Sequence, residues 1–381
     1  MGKTLDCERP TSTAKSLFSL LLLTWPIFTR WTFAQDLELT HAQGHAGKPL
    51  CYSSPFANPS QGAWKKGQVG VDASPMEMSS KWPYWADQPS VSAYVSMCDD
   101  IWAEKRVGEG TRPYWKWEPR NCRLEEVTAA RFCRVMQGRK GLLLVGDSLT
   151  HEFSITLASI LRASLLSTTR FFTPNKWKAC DGALDIHFYR SDDLNTRTEE
   201  HKFERCVYDG INFCITYAND KILREFDTLV VNAGAHLPEK GFSAYASMME
   251  AASATLEASM RRLHGEDAIL VVRNTPPGHG QCGQMMFGAP VDFDAAVRLV
   301  HDSPKQYGWA TFDRRNEILE NTFTGNSSNS SSWKLLDAYT PTLLRADSHR
   351  TPDDCLHYCL PGPIDLWVSL LYNILLAEKG D

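Results

Sequence analysis

Residues 141–148 read GLLLVGDS, a short apolar run that ends in Gly146-Asp147-Ser148. An uncharged run of this length is typical of a strand that is buried on both faces of a parallel sheet. The residues that follow, from 150 to about 165, predict a helix. Ser148 therefore lies where a strand meets a helix, at the carboxyl end of the strand, and open α/β sheets place their functional sites there.

Further apolar strands and helices follow along the chain. Two more buried strands are predicted at 227–232 and 268–273, which read DTLVVN and AILVVR. Gly265 is the expected C-cap of a long helix between them. The predicted helices after Ser148's own are 243–264, 291–300 and 365–376. Strands that alternate with helices indicate a doubly wound α/β fold, in which helices cover both faces of a parallel sheet.

The sequence before residue 136 differs in composition, with many turn residues, Pro and Trp and few long apolar periods. We predict an irregular, disulfide-stapled subdomain over 35–135, followed over 136–381 by the α/β domain that carries Ser148. The 381 residues are 43% hydrophobic and 22% charged, which is ample apolar material for a core. The net charge of -5, without a basic excess, argues against electrostatic binding of nucleic acid.

An uncharged, mostly apolar segment lies near the N-terminus at 16–29. It is shorter than the roughly 20 residues that a membrane span needs. It fits the apolar region of a secretory signal, with the sequence TFA at 32–34 as an acceptable cleavage site. A retained signal anchor is the alternative, if Arg30 and its aromatic neighbours lie at the membrane interface. We expect 1–34 to direct the chain to the Golgi lumen as an anchored protein, or outside the cell.

The eleven cysteines also indicate a protein of the secretory pathway. Ten of them follow the apolar segment, an even number that suits a disulfide framework in an oxidising compartment; scattered reduced thiols are the alternative. No C-x-x-C pair occurs, so no metal site is implied. We expect Cys355 and Cys359 to bond to distant partners, with Cys282 as the first candidate for Cys355.

A low-complexity patch at 326–332 reads NSSNSSS. It contains glycosylation sequons at Asn326 and Asn329. In a lumenal protein such a patch is an exposed loop, and we expect it to be glycosylated. The alternative interpretation is a plain solvated loop.

A second chemically informative stretch, DDCLHYC at 353–359, lies more than 200 positions after Ser148. Within one turn the carboxylate of Asp354 can reach Nδ1–H of His357, which leaves Nε2 free to take a proton from Ser148. The backbone N–H of Ser148, at the positive end of a helix, would stabilise an oxyanion. The alternatives are an incidental histidine in a disulfide-rich loop and an N-cap role for Asp147 or Ser148.

These motifs resemble the PC-esterase branch of the GDSL/SGNH superfamily. GDS alone is unspecific, but DCLHYCLPGPIDLW at 354–367 matches a highly specific pattern. Further blocks match in family order: WKWEP at 115–119, GRK at 138–140, NAGAH at 232–236 and RNTPP at 273–277. Within this branch the chain resembles the trichome birefringence-like polysaccharide O-acetyltransferases of plants and their algal and fungal relatives, over residues 50 to 377.

The resemblance implies an SGNH-like fold and a serine enzyme. Ser148 would be the nucleophile, His357 the general base and Asp354 the residue that orients the base. Asn232 would join the backbone N–H of Ser148 in the oxyanion hole. A turn residue before Gly234 is the alternative role for Asn232.

Two more residues follow from the matched blocks. Arg273 and His236 are candidate substrate-binding residues, with a structural salt bridge and a structural histidine as the alternatives. No P-loop or Rossmann fingerprint is present in the sequence, so we expect no bound cofactor. The expected reaction requires an acetyl donor, whose identity the sequence does not give. LTHEF at 149–153 stands where plant members have an Arg-Asn-Gln stretch, so the acceptor polysaccharide is not identified.

The expected activity is transfer of an acetyl group, through Ser148, to a hydroxyl of a polysaccharide or glycan. An acetyl esterase with water as acceptor is the first alternative, because transferase and hydrolase differ only in how the cleft excludes water and binds a hydroxyl. A non-catalytic polysaccharide-binding protein is the second. The presence of Ser148, Asp354 and His357 together argues against it.

Overall fold

The chain folds around a seven-stranded mixed sheet with helices on both faces. A computed structural model describes residues 47–54, 56–67, 98, 101, 104, 113–167, 174–196, 204–205, 213–214, 217–237, 241–302, 308–325, 332–360 and 362–380. The predicted targeting segment at 1–34 and the sequons at Asn326 and Asn329 lie outside these residues. In the described part of the chain, no helix has the length and apolar character to cross a membrane.

The strands, in chain order, are β1 (Gly62–Lys66), β2 (Trp115–Pro119), β3 (Gly141–Gly146), β4 (Ser164–Ser167), β5 (Asn175–Ala179), β6 (Leu184–Arg190), β7 (Glu204–Arg205), β8 (Phe213–Cys214), β9 (Thr228–Val231), β10 (Ile269–Arg273) and β11 (Trp333–Leu336). The helices are α1 (Ala129–Val135), α2 (Ser148–Ile160), α3 (Asp220–Leu223), α4 (Phe242–His264), α5 (Cys282–Met285), α6 (Phe293–His301), α7 (Phe312–Thr324), α8 (Tyr339–Leu343) and α9 (Pro363–Lys379).

The sheet has the strand order β11-β10-β9-β3-β6-β5-β4. The five strands from β11 to β6 are parallel, which confirms the predicted α/β architecture and the strands predicted at β3, β9 and β10. Beyond these five strands, β5 and β4 extend one edge of the sheet antiparallel, so the sheet as a whole is mixed. The sequence of β5, NKWKA, alternates buried and half-buried positions, the pattern of a strand with one face in the core.

Strand β3 shows why an uninterrupted apolar run is needed at the centre. Leu142 and Leu144 pack into one core cluster with α2 and α9, whereas Leu143 and Val145 pack into a second cluster with α4. All four side chains are completely buried. Each contributes roughly 1.5–3 kcal/mol by leaving water. The strand that leads to Ser148 is therefore anchored in both cores.

The Trp-rich N-terminal segment packs against the main core. Strands β1 and β2 form an antiparallel ribbon in which Trp64 and Trp117 meet edge to face at 5.5 Å. The indole N–H of Trp64 donates to the carbonyl oxygen of Pro341, far along the chain. Residues His45–Asp381 form one compact unit, and the predicted boundary at 135 lies within it. A two-stranded ribbon cannot bury such large rings by itself, so the two Trp side chains pack into the larger core.

Candidate active site

Ser148 is the first residue of α2, directly after the central strand. The Oδ1 atom of the preceding Asp147 accepts hydrogen bonds from the backbone N–H groups of Leu149 and Thr150, at 3.0 and 3.3 Å. Asp147 is thus the N-cap of the helix, the role that sequence analysis kept as an alternative. Ser148 itself is half-buried at the amino end of α2.

Glycine at position 146 permits the tight passage from strand to helix. A Cβ atom there would lie 2.3 Å from Oγ1 of Thr150 and 2.9 Å from the backbone oxygen of Asn232. Both distances are shorter than van der Waals contact. Any side chain at this position would push α2, and Ser148 with it, away from the sheet.

Three predicted side chains meet in one chain of hydrogen bonds. The Oγ atom of Ser148 lies 2.8 Å from Nε2 of His357. On the other side of the ring, Nδ1 of His357 lies 2.9 and 3.0 Å from the two carboxylate oxygens of Asp354. Oδ1 of Asp354 also accepts the backbone N–H of His357 at 3.3 Å. The carboxylate therefore places the proton on Nδ1 and leaves Nε2 as acceptor for the serine hydroxyl.

The segment that carries His357 is held by backbone pairing and by disulfides. The N–H of Arg350 donates to the carbonyl oxygen of His357 at 3.0 Å, and the N–H of Cys359 donates to that of Ser348 at 2.8 Å. The two half-cystines that flank His357 are bonded outward, as Cys282–Cys355 and Cys98–Cys359. Cys282 is the partner that sequence analysis placed first for Cys355.

Two further disulfides lie away from this segment, as Cys51–Cys122 and Cys133–Cys180. In the described part of the chain, eight of the ten cysteines that follow the apolar segment are therefore seen in disulfides. Cys206 and the side chain of Cys214 fall outside the described part of the chain. A disulfide typically contributes about 2–4 kcal/mol to stability.

Burial and the neighbouring charges shift the pKa of His357 in opposite directions. Burial lowers the pKa of the imidazole, but the nearby carboxylates of Glu152 and Asp354 outweigh burial, so its pKa is raised above the ordinary value. For Asp354, burial raises the pKa, whereas the hydrogen bond from His357 and the charge of Arg350 bring it well below the usual range. Asp354 is thus ionised throughout the pH range in which His357 titrates.

Asn232 follows β9 and is hydrogen-bonded to the segment at the end of β10. Its side chain is completely buried, and Nδ2 donates both to the backbone oxygen of Arg273, at 2.9 Å, and to Oγ1 of Thr275, at 3.1 Å. Both amide protons are committed to the segment at the end of β10. In this structure Asn232 ties β9 to β10, and its role in the oxyanion hole stays a prediction.

Arg273 is also a structural residue. It is completely buried, its Nη2 donates to Oγ1 of Thr150 at 2.9 Å, and its guanidinium lies over the ring of Trp367 at 5.0 Å. Burial lowers its pKa to about 10, against the opposing charges of Asp147 and Glu152. It supports α2 from inside the core and cannot contact a substrate. His236 lies half-buried in the turn after β9, where its substrate role stays a prediction.

Two charged residues of the site were missed by sequence analysis. Nη2 of Arg350 lies 2.5 Å from Oδ2 of Asp354, and Nη1 lies 3.4 Å from Oε1 of Glu152. Glu152 is only 1% exposed. Its position four residues after Ser148, on the same face of α2, was a signal that could have found it.

A family profile matches the C-terminal part of the chain. The profile is described as PC-Esterase, a GDSL/SGNH-like acyl-esterase family found in Pmr5 and Cas1p, and it matches residues 242–374. The match includes Asp354 and His357 and begins after Ser148.

Curated relatives cover more of the chain. Xyloglucan O-acetyltransferase 1 of Arabidopsis thaliana is 24% identical over an alignment of 309 positions, gaps included, that covers 70% of this chain and 71% of that protein. Protein trichome birefringence-like 40 of the same plant is 26% identical, over 78% of this chain and 86% of that protein. Xylan O-acetyltransferase 3 of Oryza sativa subsp. japonica is 20% identical, over 87% and 78%. Residues 242–374 thus match the PC-esterase family, and the chain as a whole is similar to proteins named trichome birefringence-like and polysaccharide O-acetyltransferase.

Proposed function

We propose that the protein is a serine-dependent O-acetyltransferase, which moves an acetyl group through Ser148 to a hydroxyl of a polysaccharide. The observation that carries the proposal is the continuous hydrogen-bond chain from Ser148 through His357 to Asp354. The names of the relatives, xyloglucan and xylan O-acetyltransferases, support acetyl as the group and a polysaccharide as the acceptor.

In the first half-reaction, Oγ of Ser148 attacks the carbonyl carbon of the acetyl donor while Nε2 of His357 takes the hydroxyl proton. The carbonyl oxygen becomes negative and faces the amino end of α2, where the backbone N–H of Ser148 can donate to it. The intermediate then collapses to acetyl-Ser148. The proton on His357 passes to the leaving group of the donor.

In the second half-reaction a sugar hydroxyl attacks the acetyl carbon. Nε2 of His357 takes the proton of that hydroxyl, and Ser148 leaves with its oxygen reprotonated. Asp354 remains ionised and stabilises the imidazolium that forms twice in the cycle. The donor is required by this scheme, and none of the described residues identifies it.

An acetyl esterase is the second candidate, and the description of the matching family as acyl-esterases favours it. The same acetyl-Ser148 would then be attacked by water. We place either reaction in the lumen of the secretory pathway or outside the cell, since four disulfides suit an oxidising compartment.

The test is to incubate the oxidised, purified protein with an acetyl donor and defined xyloglucan or xylan oligosaccharides. Mass spectrometry of the sugars and a parallel assay of free acetate report the two fates of the acetyl group. Acetylated sugar that is absent with Ser148→Ala supports transfer. Free acetate in place of acetylated sugar would make the protein an esterase, and neither product would make it a binding protein.

A further inference from the structure

Two charged residues lie beside the hydrogen-bond chain, Glu152 completely buried and Arg350 half-buried. Arg350 bridges two carboxylates with different nitrogens, Nη2 at 2.5 Å from Asp354 and Nη1 at 3.4 Å from Glu152. We propose that Arg350 and Glu152 are a charge-compensated pair of positioning residues, in which Arg350 clamps Asp354 against His357 and Glu152 cancels the effect of that clamp on the basicity of His357.

The clamp follows from the geometry of the guanidinium group. Its planar, rigid set of donors fixes the direction of a carboxylate better than an ammonium does. Asp354 needs a fixed direction because it contacts His357 through both oxygens, at 2.9 and 3.0 Å. Arg350 also pairs through its backbone N–H with the carbonyl oxygen of His357. One residue therefore holds both partners of the Asp-His pair.

A positive charge so close to His357 makes the imidazole a weaker general base. Arg350 favours the neutral imidazole and weakens its hold on a proton. Glu152 acts in the opposite direction, because its negative charge favours the protonated imidazole and so raises the pKa of His357. With Glu152, Arg350 and Asp354 ionised, the cluster becomes neutral when His357 takes the proton of Ser148.

Glu152 is built into the site as a carboxylate. It is 1% exposed, its Oε1 accepts from Arg350, and its Oε2 accepts the backbone N–H of Tyr358 at 3.4 Å. A buried carboxylate is tolerated when it is paired and hydrogen-bonded in this way. Burial raises its pKa, while the charges of His357 and Arg350 oppose the rise.

Two other histidines face His357 and have to be considered in any titration. His151, on α2, has its pKa lowered to about 3, mainly by burial. His349, on the paired segment, has its pKa lowered well below the ordinary value, again mainly by burial. Both are neutral while His357 titrates. The charges that decide its behaviour are therefore those of Glu152, Asp354 and Arg350.

The inference rests on the proposed function only for its kinetic readout. That readout is the pH profile of the initial rate for the wild type, Glu152→Gln, Arg350→Gln and the double variant. The midpoint of the rising limb should move down by about one pH unit in Glu152→Gln and up by a similar amount in Arg350→Gln. It should return near the wild-type value in the double variant, although the plateau rate of each variant falls about tenfold or more.

Two control variants separate the effect of the charges of Arg350 and Glu152 from the effect of changing the local structure. Arg350→Lys keeps the positive charge but lacks the planar set of N–H donors of the guanidinium group. The midpoint should therefore stay near that of the wild type while the plateau rate falls. Glu266→Gln removes the carboxylate of an ion pair with Arg261 that is far more exposed, and it should change neither quantity.

A direct titration of His357 by NMR, in a Ser148→Ala background, measures the same midpoints without any activity. It keeps failure of the inference distinct from failure of the proposed function, because it works even if the wild type transfers no acetyl group. Opposite shifts in the two single variants are required. Shifts in the same direction, or an unmoved midpoint in folded Glu152→Gln, would overturn the proposal.

Discussion

The Oγ atom of Ser148 lies 2.8 Å from Nε2 of His357, although 209 residues of chain separate the two. The serine is fixed by the central strand and the cap of α2, and the histidine by a segment that two disulfides hold from outside. Neither side chain has to move to form the contact. The geometry for proton transfer is therefore present before a substrate arrives.

Replacing Ser148 by alanine should abolish acetyl transfer and leave the fold intact, because only one half-buried hydroxyl is lost. We expect a loss of at least about a thousandfold in rate. Ser159→Ala is the matched control, since it removes a completely buried hydroxyl from the same helix. The rate of transfer and the near-ultraviolet circular dichroism of both variants are compared. More than a few per cent of wild-type activity in Ser148→Ala would refute its assignment as nucleophile.

Asp354→Asn and His357→Ala should each be severely damaging, and neither should add to the effect of Ser148→Ala. The three side chains act as one unit, so the first replacement removes nearly all that the others contribute. Rates of the three single and three double variants, measured at saturating donor, provide the test. Double variants that lose the product of the single losses would show that the residues act independently.

Activity should rise with pH along a single limb whose midpoint lies above 6.5, the ordinary histidine value. His357 accepts the proton of Ser148 only when it is neutral, and its pKa in the folded protein is raised because Glu152 and Asp354 outweigh burial. Initial rates between about pH 5.5 and 9, corrected for spontaneous hydrolysis of the donor, give the midpoint. A flat profile would point to another base or to another limiting step, and a burst of acyl-enzyme would separate those two cases.

His187 should make the protein sensitive to acid for a reason unrelated to the active site. Its ring is 6% exposed and lies against Phe226, and burial lowers its pKa to about 4. A folded-state pKa below the unfolded value of about 6.5 means that the unfolded chain takes up the proton first. The stability associated with neutral His187 is therefore complete above pH 6.5 and is lost as the pH falls toward 4.

The variant His187→Phe removes this titration while keeping an aromatic ring. Between pH 8 and pH 5 the wild type should lose about 2 kcal/mol more unfolding free energy than the variant. Urea unfolding at the two pH values, followed by circular dichroism, measures the difference. Equal losses in the two proteins would show that His187 is protonated in the folded state as easily as in the unfolded state.

The parts of the fold that could be predicted from the sequence were those with a single local signature. Strands β3, β9 and β10 are covered on both faces, so each appears as an unbroken apolar run. The antiparallel edge could not be found in this way, because a half-covered strand such as β5 carries lysines between its buried residues. The packing of Trp64 against a carbonyl 277 residues away also has no local signature.

The same distinction holds for the site. Ser148, Asp354 and His357 belong to motifs, and the structure brings them together. The hydrogen-bond partners of the Asn232 side chain depend on where Arg273 and Thr275 place their oxygens. That placement is a property of two neighbouring strands and not of the NAGAH sequence. The pairing of Glu152 with Arg350 joins positions 198 residues apart, so only the fold reveals it.

The bonds Cys98–Cys359 and Cys282–Cys355 have a consequence for how the protein matures. Both need residues that follow the nucleophile by more than 200 positions, so a growing chain exposes Ser148 long before its proton acceptor can be fixed in place. Domains begin to fold during synthesis from their earlier residues. Ser148 therefore lacks its proton acceptor until synthesis passes residue 359 and the thiols are oxidised. Oxidative folding is thus the step that completes the active site.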